Sequence, residues 1–197
     1  MRLMALFAAF SLSVSAQSVT RAGLTVTYRD PADRGQLARV FTVWQKAAQD
    51  LKAKGLTLPP ATLTASRNAS DFASLTGYPA HIAAITLKGN IYTQRLAALH
   101  ARNLLPYTLR HEAFNLAQPP DLPRWLAEGL ARVFSGEAQK DPPERTGLET
   151  LSERELDTLL ARASGLGLNR VYREATRRAA QRLKQQGWQE TLTLTSR

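Results

Sequence analysis

Leu24, Val26 and Tyr28 alternate with polar residues in LTVTYR, the two-residue period of a strand with one buried face. Asp30 and Pro31 end that run, and Asp30 is placed to cap a helix opened by Pro31. Leu37, Val40, Phe41, Trp44, Ala48 and Leu51 then recur at helical spacing up to Gly55, which predicts one long helix packed along one side. A short strand, ATLTA over 61–65, follows Pro59 and Pro60, and Ser70 with Asp71 opens a helical turn closed by Gly77. Residues 81–87 and 91–94 flank Lys88, Gly89 and Asn90, where glycine and asparagine tolerate the positive φ of a tight hairpin.

Beyond Gln94 the period becomes helical. Leu96 and Leu99 share a short helix, Pro106 can open the next, and Pro119 with Pro120 stops it after Ala117. Asp121 is placed to cap a third helix, LPRWLAEGLARVFS, whose Leu122, Trp125, Leu126, Leu130, Val133 and Phe134 form a buried face ending at Gly136. A polar, proline-containing connector, EAQKDPPERTGL, leads to Ser152 and Glu155, a capping box ahead of Leu156, Leu159 and Leu160. The predicted fold class is therefore α+β: a small, mostly antiparallel sheet with a hairpin, followed by a helical half.

Composition changes this picture in three ways. In the first stretch, MRLMALFAAFSLSVSAQS, a basic Arg2, an apolar run from Leu3 to Leu12 and the small residues Val14 and Ala16 have the layout of a signal peptide. Cleavage is expected between Ala16 and Gln17, leaving residues 17–197 as a single secreted or periplasmic domain of the cell envelope. The stretch from Leu3 to Ala16, about 14 residues, falls short of the roughly 20 that a spanning helix needs. The chain has no cysteine, so disulfides and thiolate metal sites are excluded and any metal must rest on histidine and carboxylate. The net charge of +10 is carried mostly by arginine, which suits solubility or attraction to an anionic envelope polymer. No dense basic run or aromatic interleaving points to nucleic acid.

His111 and Asn115 are four residues apart and so project from one helical face in adjacent turns, with Glu112 beside them. In a HExxH helix two histidines at this spacing grip zinc, and the glutamate polarises the metal-bound water as general base. Here the motif reads HEAFN. A third zinc ligand comes from another element, and Glu128, 13 residues past Asn115 and across the proline turn, is placed to supply it.

LRHEAFN followed by LPRWLAEGLARVFSG resembles the gluzincin metallopeptidases, and within them the compact exported "peptidase MA-like" domains. The resemblance covers residues 24–136 in element order, and NRVYREATRRAAQRLKQQGW is similar to their closing helix. It implies a partly antiparallel sheet whose hairpin precedes the HExxH helix. It also implies Zn2+ held by His111 and Glu128, Glu112 as catalytic base, and Tyr172 as a residue that steadies an oxyanion. The alternative for Tyr172 is a core position on the stripe with Ala175, Ala179 and Leu183. Arg170, Arg173, Arg177, Arg178 and Arg182 on the same helix read as a solvated face.

Asn115 departs from the family pattern. A neutral amide donates far less to zinc than imidazole, and losing a directly bound histidine is expected to cost more than roughly 3 kcal/mol, because disturbing even an outer partner costs about 10- to 100-fold. His81 at a strand start and His100 on the short helix lack helical spacing to His111 and read as structural or surface residues. Three functions follow: a degenerate peptidase that binds peptide or envelope ligands, an active zinc-dependent hydrolase with Asn115 as an unusual ligand, and a basic envelope-binding scaffold without a site.

Overall fold

The computed structural model describes residues 15–162 and 165–193; the predicted signal segment lies, apart from its last two residues, outside the described residues. Five strands form one sheet: β1 (Gln17–Arg21), β2 (Leu24–Tyr28), β3 (Ala61–Ala65), β4 (Ala84–Leu87) and β5 (Asn90–Thr93). Their spatial order is β1-β2-β3-β5-β4. The two hairpins, β1 with β2 and β4 with β5, are antiparallel and occupy the two edges, while β2, β3 and β5 run parallel in the middle. The parallel pairs follow from the helical crossovers between those strands. The expected α+β class and the expected hairpin are both present.

The alternation read in β2 puts Leu24, Val26 and Tyr28 on the core face, and the register Val26↔Leu63↔Ile91 continues that face across the sheet. Against it packs α2 (Leu37–Lys52) through Val40, Phe41, Trp44 and Ala47. The hairpin turn forms at Lys88 and Gly89, both with positive φ, as the two-residue turn that matches strand twist requires; Asn90, expected to share that conformation, is instead the first residue of β5 and pairs with Leu87. β1 carries no hydrophobic alternation, since all five of its residues are exposed, and its pairing to β2 is visible only in three dimensions.

The single long helix expected from Pro31 is two. Asp30 does cap α1 (Pro31–Arg34) by accepting from the Ala32 N–H, but the chain then turns at Gly35 and Gln36 before α2 begins. The turn leaves Asp33 fully buried with one carboxylate oxygen accepting from the Ala97 N–H, so a long-range hydrogen bond overrides the local helical pattern. α3 (Ala69–Thr76) is capped by Asn68 rather than Ser70: Asn68 accepts from the Asp71 N–H, and Asp71 accepts in return from the Arg67 N–H.

The helical half comprises α4 (Leu96–Ala101), α5 (Leu105–Ala117), α6 (Arg124–Ser135), a 3-10 turn (Glu137–Lys140), α7 (Glu153–Arg162) and α8 (Gly165–Leu192). The Ser152 and Glu155 capping box is formed, with Glu155 accepting from the Ser152 N–H at 2.7 Å and Ser152 Oγ accepting from the Glu155 N–H at 3.3 Å. No helix among the described residues is long and apolar enough to cross a membrane.

Candidate functional site

α5 and α6 are joined by the proline turn and pack against each other, and α6 lies against α8. Trp125, Leu126, Leu130 and Ala131 seal the inner face of α6. Between them sits Gly129, where an added Cβ would fall on the Ala175 carbonyl oxygen and 2.7 Å from the Ala179 Cβ. The glycine therefore sets how near α6 approaches α8, and with it where Glu128 stands.

Asp121 is not the cap of α6. The helix starts after Pro123, two residues too late for an Asp121 side chain at the N-cap, and Asp157 on α7 instead accepts from the Trp125 N–H at 2.6 Å. A contact between helices does the work of a local cap.

The packing brings His111, Glu112, Asn115, Glu128 and Tyr172 to the wall of one cleft of about 540 Å³, closed on its other side by β4 and the strap before it. His111 Nε2 lies 3.5 Å from Glu128 Oε2, and His111 Nδ1 lies 3.3 Å from Glu137 Oε1. Glu137 is held in turn by Arg132 at 3.2 Å. Glu112 is buried and accepts from Thr86 Oγ1 of β4 at 2.7 Å. Asn115 Oδ1 is 3.5 Å from Gln118 Nε2.

These surroundings shift the titrations. Burial works against a charged His111, but hydrogen bonds to Glu128 and Glu137 outweigh it and hold the imidazole pKa well above its ordinary value. Burial pushes Glu112 up, against the opposing pull of His111 and Thr86. Glu137 is drawn down in spite of its burial by His111 and Arg132.

His81 sits exposed on the rim of the cleft, whereas His100 lies on α4 and is not among the residues lining it. Tyr172 combines its two expected roles: its ring packs on the core, and it lines the cleft with burial and Glu128 raising its pKa. The arginines of α8 are not merely a solvated face, although Arg170 and Arg177 are exposed and Arg177 pairs with Glu174 of its own helix. Arg170 donates to the Thr146 carbonyl, Arg173 to those of Pro142 and Glu144, and Arg178 to Leu151, which fastens the connector to the helix, while Arg182 pairs with Glu153 at the start of α7. The pattern of charge on a helix cannot show that a distant loop will lie across it.

Glu137, Arg132 and Thr86 were not singled out by the sequence. Thr86 left a faint signal as the one polar position in AITL. Glu137 left none, because its approach to His111 depends on the turn at Gly136.

Two tetrahedral zinc ligands at bond lengths of about 2.0–2.2 Å stand about 3.3–3.5 Å apart, so the His111 to Glu128 spacing suits one edge of a zinc site. Glu137 behind Nδ1 supplies the outer carboxylate that orients a metal-bound imidazole. The set nevertheless falls one strong ligand short: Asn115, at the motif position of the second histidine, lines the same cleft, and no group of three His, Asp or Glu side chains among the described residues is disposed to hold a metal. The residues fit part of a zinc site and not the whole. Comparison of the chain with protein-family models, with curated proteins and with solved structures gives no significant match.

Proposed function

We propose that this chain is an exported, metallopeptidase-like domain of the gluzincin type that holds an extended peptide in its cleft and whose zinc affinity is weakened by Asn115. The observation that carries the reading is the meeting of His111, Glu112, Asn115 and Glu128 on one cleft beneath the edge strand β4. An edge strand has unpaired backbone groups along one side, and a peptide adding to it gains main-chain hydrogen bonds without any catalysis. Glu112 is the acid/base group at the floor of that cleft. The layout of residues 1–16 supports export.

A second reading, an active zinc peptidase with Asn115 as an unusual, weak ligand beside His111, Glu128 and water, is favoured by the 3.5 Å edge between His111 and Glu128 and by Glu137 behind it. Zinc titration of the parent and of Asn115→His separates the two. The degenerate reading expects well under one zinc per parent chain after dialysis, and affinity at least 10- to 100-fold higher in the variant, with a zinc-dependent rise in Tm. Adding Glu128→Ala to the variant should abolish the gain. Stoichiometric zinc surviving dialysis of the parent would favour the active peptidase, and equal affinity in parent and variant would show that these residues never formed one site.

A further inference from the structure

We propose that the cleft selects peptides of the pattern apolar-any-apolar, in which two apolar side chains one residue apart settle beside Ile85 and Leu87 while the residue between them faces Glu112. The inference rests on the peptide-holding reading above and names the class of peptide held.

The phase of hydrogen bonding in the hairpin of β4 and β5 decides which backbone groups of β4 are free. Lys88 and Gly89 make a two-residue turn, so the pair that flanks it, Leu87 with Asn90, is a hydrogen-bonded one. The Gln94 N–H donates to the Ala83 carbonyl at 2.9 Å, which sets the same phase at the far end of the hairpin. Bonded and open pairs alternate along an antiparallel ladder, so Ile85 bonds with Tyr92, whereas Ala84 and Thr86 stand in open pairs. The N–H and C=O groups of Ala84 and Thr86 therefore point to the unpaired edge of β4, where the cleft lies.

Side chains alternate as well. Thr86 shares its face with the core residue Ile91 and donates to Glu112 at 2.7 Å, so a peptide residue bonded to Thr86 along the edge carries its side chain toward Glu112. The residues on either side of it fall beside Ile85 and Leu87, which point to the other face together with Tyr92 and Asn90. Directly paired residues place their Cβ atoms about 4.5–5.5 Å apart, close enough for apolar side chains to touch.

Ile85 and Leu87 are half-buried and stand outside the hydrophobic core cluster, so part of their apolar surface is open to an occupant. The strap before β4 adds Tyr78, Pro79 and Ile82 to the same wall, and Tyr78 is 41% exposed. The side-chain amide of Gln94 donates to the carbonyls of Ala80 and Ile82 at 2.8 and 3.0 Å, which holds the strap in place before a ligand arrives and lowers the ordering cost of binding. An apolar side chain beside Ile85 or Leu87 gains from leaving water, while a polar one at the same place loses water without finding a partner.

The test uses three fluorescent short peptides of one serine-rich sequence, capped at both ends: with two valines one residue apart, with two adjacent valines, and with none. Binding is measured by anisotropy for the parent, for the double variant Ile85→Thr with Leu87→Thr, and for Val19→Thr. Threonine keeps the strand propensity at each position, and Val19 is an exposed apolar residue on β1, at the opposite edge of the sheet. The peptide with spaced valines should bind the parent tenfold or more tighter than the other two, a comparison that depends on no variant folding. The double variant should erase that preference while binding the valine-free peptide as the parent does, and Val19→Thr should keep it. Equal binding of spaced and adjacent valines by the parent, or a preference that survives the double variant or disappears equally in Val19→Thr, would overturn the pattern while leaving the cleft a peptide site. Absence of binding by all three peptides would instead overturn the peptide-holding reading and this inference with it.

Discussion

Glu174 on α8 and Glu112 on α5 are both buried helical glutamates, 0% and 5% exposed, yet their neighbours drive them in opposite directions. Glu174 receives two hydrogen bonds from Arg177, one from Arg178 and one from Thr146. Burial alone would raise its pKa, but these donors overcome it and hold the group at about 2. Glu112 has Thr86 as a donor at 2.7 Å, Asn115 as a weaker one and His111 as a charged neighbour, and burial prevails. The fully satisfied carboxylate fastens the connector to α8, and the under-supplied one faces a cleft. A group whose ionisation is left costly is one whose proton can be used, which is the usual mark of a functional position.

The change expected to disrupt both regions most is Gly129→Ala, since it drives apart the two helices that carry Glu128 and Glu174. The added methyl meets a backbone carbonyl that cannot rotate away, so a loss of about 3 kcal/mol is expected in urea denaturation. A loss below about 0.5 kcal/mol, the scale of a neutral surface change, would mean that the glycine does not set the helix spacing.

Next comes Glu174→Ala, which strands Arg178 against the connector and should cost about 2 kcal/mol at neutral pH. The sign of the pH dependence follows from the lowered pKa: the contribution of Glu174 is present above its ordinary value of 4.5 and is lost as pH falls toward about 2. Stability of the parent should decline across that window, and the variant should show a flatter acid limb in thermal melts. Identical acid limbs would remove Glu174 as the cause.

The smallest effect is expected at Glu112→Gln. The amide oxygen still accepts from Thr86, and the cost of a buried carboxylate disappears, so stability should change by less than about 1 kcal/mol, in either direction. Because the pKa of Glu112 is raised, its contribution runs opposite to that of Glu174: present below the ordinary glutamate value and lost as pH rises through its folded value. A loss as large as that of Glu174→Ala would erase the contrast between the two sites.

The sequence foretold features that depend on neighbours a few residues apart. The hairpin turn at Gly89, Ser152 with Glu155, and the four-residue step from His111 to Asn115 are local geometry, and each lies where the pattern placed it, though Lys88 rather than Asn90 takes the second left-handed position. Glu128 reaches the same cleft because a short proline turn leaves few ways for α6 to return along α5. What the pattern could not reveal is carried by pairs far apart in the chain. Asp33 with Ala97 splits the expected long helix, Asp157 replaces Asp121 at the start of α6, and Glu137 completes the surroundings of His111. The exposed strand β1 escaped because a strand with no buried face leaves no alternation.

The fastening of the connector has a further consequence for how this chain can vary. Most of the bonds from α8 end on backbone carbonyls, those of Pro142, Glu144, Thr146, Leu148 and Leu151. A carbonyl is offered by every residue type, so the grip is indifferent to which side chains the connector displays outward. Some connector side chains are held as well: Thr146 donates to Glu174, and Asp141 and Glu144 meet Arg132 and Arg173. Outward positions such as Pro143 and Arg145 are thus open to drift and to insertion of reporter or recognition sequences, while the arginines of α8 keep the strand of chain in place beneath them.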